Sequence, residues 1–345
     1  MNLFDSRYRI LWIDAVRGLV IIFMVFGHSI QYGSGREMLD NGLYFENTAF
    51  RFIYSFHMPC LMLISGFLFR WTVERADFWE NRVRKILGPA VLGALIPASI
   101  LFFGAVLNHI VNAETLVSCG RIIVTYYWFL WAIFFASTIV WIVYKVGRNS
   151  VFLLFAVGIV LLFIPDYLNI ALWKFMYPYF VVGYIWNLKS IRLTWTKRYK
   201  WLTAGILILL FSALFIFYDN DSFIYTTGIM VDSISQLCID LYRYAIGFAG
   251  SAMVIWIVYI IYPLINKKFV WLIHIGRISL TVYMVDILLN SYILPRLTGD
   301  FSLNYLMTVT ETVVVILLCL GIDSLLKNAP RLLYAIFNHY GIGKE

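Results

Sequence analysis

One apolar stretch carries three groups able to do acid–base or anion chemistry: Asp14, Arg17 and His28. From Ile10 to Ile30 the chain is apolar almost throughout, long enough to cross a bilayer as a helix. An ionisable group at membrane depth costs several kcal/mol on insertion scales, so it usually faces a protein interior or a wet cavity and acts there. At about 100° per residue, Arg17 and His28 differ by about 20° around the helix, and Asp14 and His28 by about 40° the other way. All three share one stripe, with Arg17 and His28 roughly 16 Å apart along the axis. A cation thus sits toward one end and an imidazole toward the other. A satisfied helix–helix contact is the plainer reading, but three such groups in register are hard to explain by packing alone.

The rest of the chain is built to hold such a stripe in a membrane. Of 345 residues, 62% are hydrophobic and 13% charged, and the mean hydropathy is +0.82. A soluble domain has roughly twice that charged fraction. The sequence predicts an all-α, polytopic membrane bundle, one domain over 1–345 with no separate soluble domain. Ten apolar segments stand at about 10–32, 49–69, 88–110, 122–144, 148–165, 171–187, 201–218, 240–262, 270–292 and 303–326, with 223–239 read as an outer loop. The first apolar run holds polar groups and lacks a small-residue cleavage site, so it does not read as a cleavable signal. Cys60, Cys119, Cys238 and Cys319 have no metal-ligand spacing. A Cys119–Cys238 disulfide stays open.

Charge orients the bundle. Arg7 and Arg9 precede the first segment. Alternate connections hold Arg70, Arg75, Arg82, Arg84 and Lys85, then Lys145 and Arg148, then Lys189, Arg192, Lys197, Arg198 and Lys200, then Lys267 and Lys268; Lys327, Arg331 and Lys344 follow the last segment. The other connections carry mostly acids. Both termini are expected in the cytoplasm of a multi-pass plasma or inner membrane protein. The +8 net charge is then positive-inside bias and calls for no nucleic acid. This topology predicts two polar layers. Asp14, Arg17, His274 and Arg277 lie inward; His28, His57, Asp286, Glu311, Arg51 and Arg243 lie outward.

The second connection suits an amphipathic helix at the interface, ending near Gly88-Pro89. It is either an anchor for anionic headgroups or a cradle for a phosphate-bearing ligand. Arg82 and Lys85, three residues apart, share a face, giving phosphate a fork and a point charge. Tyr126-Tyr127-Trp128-Phe129-Leu130-Trp131 reads as an interfacial belt or a stacking wall for a sugar ring. No Gly-rich phosphate loop, Ser elbow or HExxH occurs.

These residues resemble the membrane acyltransferase family three, whose members move acyl groups, mostly acetyl, onto cell-surface glycans. The resemblance rests on Asp14-x-x-Arg17-Gly18 followed by His28; on Ser55-Phe56-His57-Met58-Pro59 running into Ile64-Ser65-Gly66-Phe67; on Arg82-x-x-Lys85; on Trp128-Phe129-Leu130; and on Gly276 with Ser279-Leu280-x-x-Tyr283. The first two blocks are the most specific, and together the five span most of the chain. Lys85 stands where the family commonly has a second Arg, and Asp286 where many relatives have His.

The resemblance implies acetyl-CoA as donor from the cytoplasm and a surface glycan or lipid-linked sugar as acceptor, with no metal. His28 would act as general base or acyl relay, with Arg17, Asp14 and Asp286 completing the catalytic set. Arg82, Lys85 and Arg17 would hold the donor. His57, Trp128, Arg243 and Glu311 would bind the acceptor. Asp286 or Glu311 could orient the imidazole. The rival reading is a secondary transporter of an anionic solute, which would need internal repeats or matching broken helices; the sequence displays neither.

Overall fold

The computed structural model describes residues 4–5, 9–147, 149–189, 199–229, 232–265, 270–293, 295 and 304–327. Several cations used to orient the bundle (Arg7, Arg148, Arg192, Lys197, Arg198, Lys267, Lys268, Arg331 and Lys344) lie outside the described residues.

Long apolar runs leave the backbone no partner but itself, and the chain answers with helices. A two-residue antiparallel ladder, β1 (Phe4–Asp5) with β2 (Arg9–Ile10), leads into α1 (Leu11–Gly33). Next come α2 (Arg36–Asp40), α3 (Thr48–Tyr54), α4 (His57–Phe69), α5 (Phe78–Arg82), α6 (Gly88–Leu107), α7 (Ala113–Thr125) and α8 (Trp128–Gly147). They are followed by α9 (Val151–Leu162), α10 (Ile170–Leu188), α11 (Lys200–Phe215), α12 (Ile224–Thr227) and α13 (Ile234–Ile265). The described chain closes with α14 (Val270–Arg277), α15 (Ser279–Leu288) and α16 (Tyr305–Lys327).

Among the described residues, six helical stretches are long and apolar enough to cross a membrane: Leu11–Gly33, Thr48–Phe69, Phe78–Leu107, Trp128–Gly147, Ile234–Leu264 and Tyr305–Leu325. The pair α14–α15, bent by 69°, makes a seventh if it is one span. Two more apolar helices, α9 and α11, are shorter. All ten expected apolar segments are thus largely helical, but length and composition support six or seven of them as spans.

Three local departures have physical causes. The segment expected at 122–144 is split, because α7 turns back along α6 and α8 starts only at Trp128. The interface helix does not stop at Gly88-Pro89. It continues through a π turn, Val83–Leu87, into α6; Pro89 has no N–H to give the ladder, and the Gly88 N–H reaches back to the Val83 carbonyl. The expected outer loop 223–239 contains α12 and the first turns of α13.

The stripe-bearing α1 is the hub, packing against α3, α4, α13, α14, α15 and α16. Its crossing with α14 is glycine on glycine. A Cβ on Gly18 would run into the Leu272 carbonyl oxygen, and one on Gly276 into that of Asp14. The α4–α10 crossing repeats the device: Gly66 lies against the Phe180 carbonyl and Gly183 against that of Leu63. Small residues allow such close approach where lipid supplies no hydrophobic drive between helices.

Candidate active site

The α1 stripe faces α14 and α15, and its polar groups meet partners at two depths. Near the Gly33 end, His28 Nδ1 lies 2.5 Å from Asp286 Oδ2. Asp286 is fully buried, and its other oxygen accepts from Asn290 Nδ2 at 2.5 Å. The tautomer in which Nδ1–H donates to Asp286 leaves the Nε2 lone pair unused by that contact. Among the described residues nothing hydrogen-bonds Nε2. A carboxylate that fixes the tautomer and a second nitrogen left open are what a general base needs. α15 runs on into a π turn, Leu289–Ile293, which carries Asn290; such turns are frequent at functional sites.

Toward the Leu11 end, Arg17 Nη2 donates to Ser279 Oγ at 2.6 Å, and Arg17 Nη1 lies 3.9 Å from Asp14. The other Asp14 oxygen is 3.6 Å from Arg277 Nε. This knot ties α1 to the bend between α14 and α15. Beside it opens a chamber of about 350 Å³, within the size range of small-molecule sites. Asp14, Arg17, Arg75, Arg82, Lys85 and Asn81 line its polar side; Ile21, Leu61, Phe69, Phe129, Leu130 and Tyr283 line its apolar depth. Ile21 and His28 are seven residues apart on α1, about 10 Å at helical rise. Tyr283 is one turn from Asp286. The chamber and the dyad thus lie at different depths of one helix, α1, and His28 is not among the residues that line the chamber.

The chamber cations are not equivalent. Arg75 is bidentate on Asp77, both bonds at 2.8 Å, and the guanidinium holds the Asp77 carboxyl well below the usual carboxylate range. That pair is self-neutralised. Arg82 donates through Nη2 to Thr72 Oγ1 at 2.7 Å and lies 4.8 Å from the Phe69 ring centroid, while its buried Nε has no partner among the described residues. Lys85 hydrogen-bonds nothing among the described residues. An unpaired buried guanidinium nitrogen beside an open ammonium fits an anionic ligand better than a structural ion pair.

The remaining expected residues separate into groups. Asp14, grouped with His28 as catalytic, lies about 21 Å from it along α1; it belongs to the inner knot and does not reach the dyad. Arg17 belongs to the same knot and also lines the chamber. His57 Nδ1 donates to the Ile53 carbonyl at 2.9 Å, across the break between α3 and α4. His57 and Trp128 line a cavity of about 30 Å³ together with Tyr54, Tyr225 and Arg243.

Arg243, expected to contact acceptor, lies in the wall of that cavity with its donors engaged within the fold. It is 2% exposed and its donors are all taken, by Asp240 and by the Asp221, Ser222, Phe223 and Gly228 carbonyls and Thr227 Oγ1. It clasps the 219–229 segment, helped by buried Lys174, which binds Asp166 at 2.5 Å and the Ile164 and Ile229 carbonyls at 2.8 Å. Glu311 sits on α16 against Gly33, 8% exposed, with neither oxygen hydrogen-bonded among the described residues. Of the two acids considered for His28, Asp286 is the one that contacts it. All four cysteines are free. Among the described residues no group of three His, Cys, Asp or Glu side chains could hold a metal ion.

Comparison with known proteins supplies the class of chemistry. A family model described as an acyltransferase domain, family three, matches residues 10–324. The chain belongs to the acyltransferase-3 family. It is similar to the nodulation protein NolL of Mesorhizobium japonicum, 23% identical over 301 residues covering 81% of this chain and 76% of the relative. It is also similar to the NolL of Sinorhizobium fredii, 31% identical over 182 residues covering 50% of this chain and 47% of the relative. No solved structure gives a significant match.

Within the acyltransferase-3 match fall both the dyad and the chamber. Three residues that sequence reasoning did not assign to the site join it. Ser279 holds Arg17, Thr72 holds Arg82, and Asn290 holds Asp286. Asn290 had a legible signal, an amide one turn beyond an acid on an otherwise apolar helix. Thr72 had none, since only the fold brings it to Arg82.

Proposed function

We propose that this membrane acyltransferase takes an acyl group, acetyl by default, from cytoplasmic acyl-CoA and places it on a hydroxyl of a surface glycan or lipid-linked sugar. The observation that carries the reading is the His28–Asp286 dyad, with no partner on Nε2 among the described residues, on the same helix that lines a basic chamber. The proposed topology puts the Leu11 end of α1 in the cytoplasm, both termini with it, and about ten membrane-embedded segments between them. Arg82, Lys85 and Arg17 then face the cofactor phosphates, and the apolar depth of the chamber takes the pantetheine arm.

A sugar hydroxyl has a pKa far above 7 and is a weak nucleophile. Nε2 of His28 takes its proton as the oxygen attacks the thioester carbonyl. The C–S bond breaks, the ester forms, and the imidazolium returns the proton to the CoA thiolate. Asp286 stabilises the transient imidazolium. Transfer through acyl-His28 is the variant of this scheme, separable by acid-quench trapping of label on the protein. A transporter gains one feature, the bent α14–α15 pair, but gives no use for an oriented imidazole with an open Nε2.

The test is transfer of label from radiolabelled acetyl-CoA to endogenous acceptor in membranes, with mass spectrometry of surface glycans for the added acyl mass. Label in glycan that disappears in His28→Ala supports the reading. Uptake of label without bond cleavage would overturn it.

A further inference from the structure

The geometry points to Asn290 as a positioning residue that sets the catalytic competence of the His28–Asp286 pair, making the working unit a chain of imidazole, carboxylate and amide. This rests on the reading of His28 as the base and goes beyond it. Asp286 has two oxygens and no access to solvent. Oδ2 takes the imidazole and Oδ1 takes the Asn290 amide, each at 2.5 Å. With both oxygens held, the carboxylate plane cannot turn away from Nδ1, and the charge-assisted bond on Oδ1 fixes the orientation that the imidazole meets.

The amide itself is arranged at a cost. Asn290 is fully buried, yet its own carbonyl oxygen has no partner among the described residues. A buried amide oxygen without a donor is unfavourable, and a Leu of similar size would pack there without it. Packing therefore gives no reason for this residue, whereas the donation to Asp286 does. The π turn that begins at Leu289 departs from the ordinary helical ladder directly beside the pair.

The experiment uses the full-length protein in native membranes and in lipid nanodiscs, with radiolabelled acetyl-CoA and the endogenous membrane acceptor. Asn290→Leu is expected to lower kcat by about 10- to 100-fold, the worth of one hydrogen bond to a charged group. KM for acetyl-CoA stays at the wild-type value, because the chamber is untouched. Asn290→Gln or Asn290→Ser, which can still donate directly or through water, restores part of the loss. In an Asp286→Asn background, Asn290→Leu adds little, because residues acting through one another are not additive. Elution profile and thermal stability in nanodiscs check that Asn290→Leu is folded; if it is not, the Ser and Gln variants carry the same kcat-against-KM comparison.

Unchanged kcat in folded Asn290→Leu, or a full additional loss in the Asp286→Asn background, overturns the role. Failure of the base reading looks different: His28→Ala would then retain turnover, whatever Asn290 does.

Discussion

A carboxylate sealed from solvent needs a hydrogen-bond partner for each oxygen, and Asp286 has both. That arrangement makes His28 the residue whose loss is most informative. His28→Ala should lower acyl transfer by about 10²–10⁴-fold, the usual worth of a positioned base, with expression and thermal stability near wild type; label transfer from acetyl-CoA is the measurement, and retained turnover would remove His28 from the chemistry. The chamber cations predict a different kinetic signature. Arg82→Ala with Lys85→Ala should raise KM for acetyl-CoA and spare kcat, since they would grip the donor equally in ground and transition states. An unmoved KM would reduce them to anchors for lipid headgroups. Arg75→Ala should matter less than either, because Asp77 already neutralises Arg75.

Helix crossings set how accurately these groups meet. Asp14, Arg17 and Ser279 can share one knot only if α1 and α14 approach to backbone contact, and Gly18 and Gly276 permit that approach. Gly276→Leu should force the helices apart, costing on the order of 1–3 kcal/mol or more for overpacking. The readout is a lower midpoint of thermal aggregation in detergent, with a loss of donor affinity as the chamber deforms; a wild-type midpoint would mean that the crossing is looser than described. The clasp around Arg243 belongs to the same scale. Arg243→Met leaves buried Asp240 without its cation and several carbonyls unpaired, so stability should fall by about 3–5 kcal/mol, while KM for acetyl-CoA in the surviving folded fraction stays put. A selective rise in acceptor KM with unchanged stability would instead return Arg243 to the binding site.

For the whole molecule the decisive quantity is which face each polar depth opens to. With Cys119 and Cys238 replaced by Ser and Cys60 and Cys319 buried, Trp71→Cys should react with impermeant maleimide only once the membrane is permeabilised, and Glu114→Cys should react from outside in intact cells. The reverse pattern would place the donor chamber on the wrong face. Much of this was legible in the amino acids. Asp14, Arg17 and His28 fall on one stripe because 3.6 residues per turn leaves no other option, and the apolar runs had to be helical because lipid offers the backbone no other partner. What sequence could not supply was contact between distant elements. Asp286 and Glu311 were both considered to orient His28 until the α1–α15 packing set Asp286 against it, and Arg243 read as an acceptor contact while the fold gives its donors to Asp240 and the 219–229 segment. Periodicity is a local property fixed by the backbone; the pairing of groups 258 residues apart depends on which helices cross, and that is decided by glycine contacts and buried hydrogen bonds that exist only in the folded bundle.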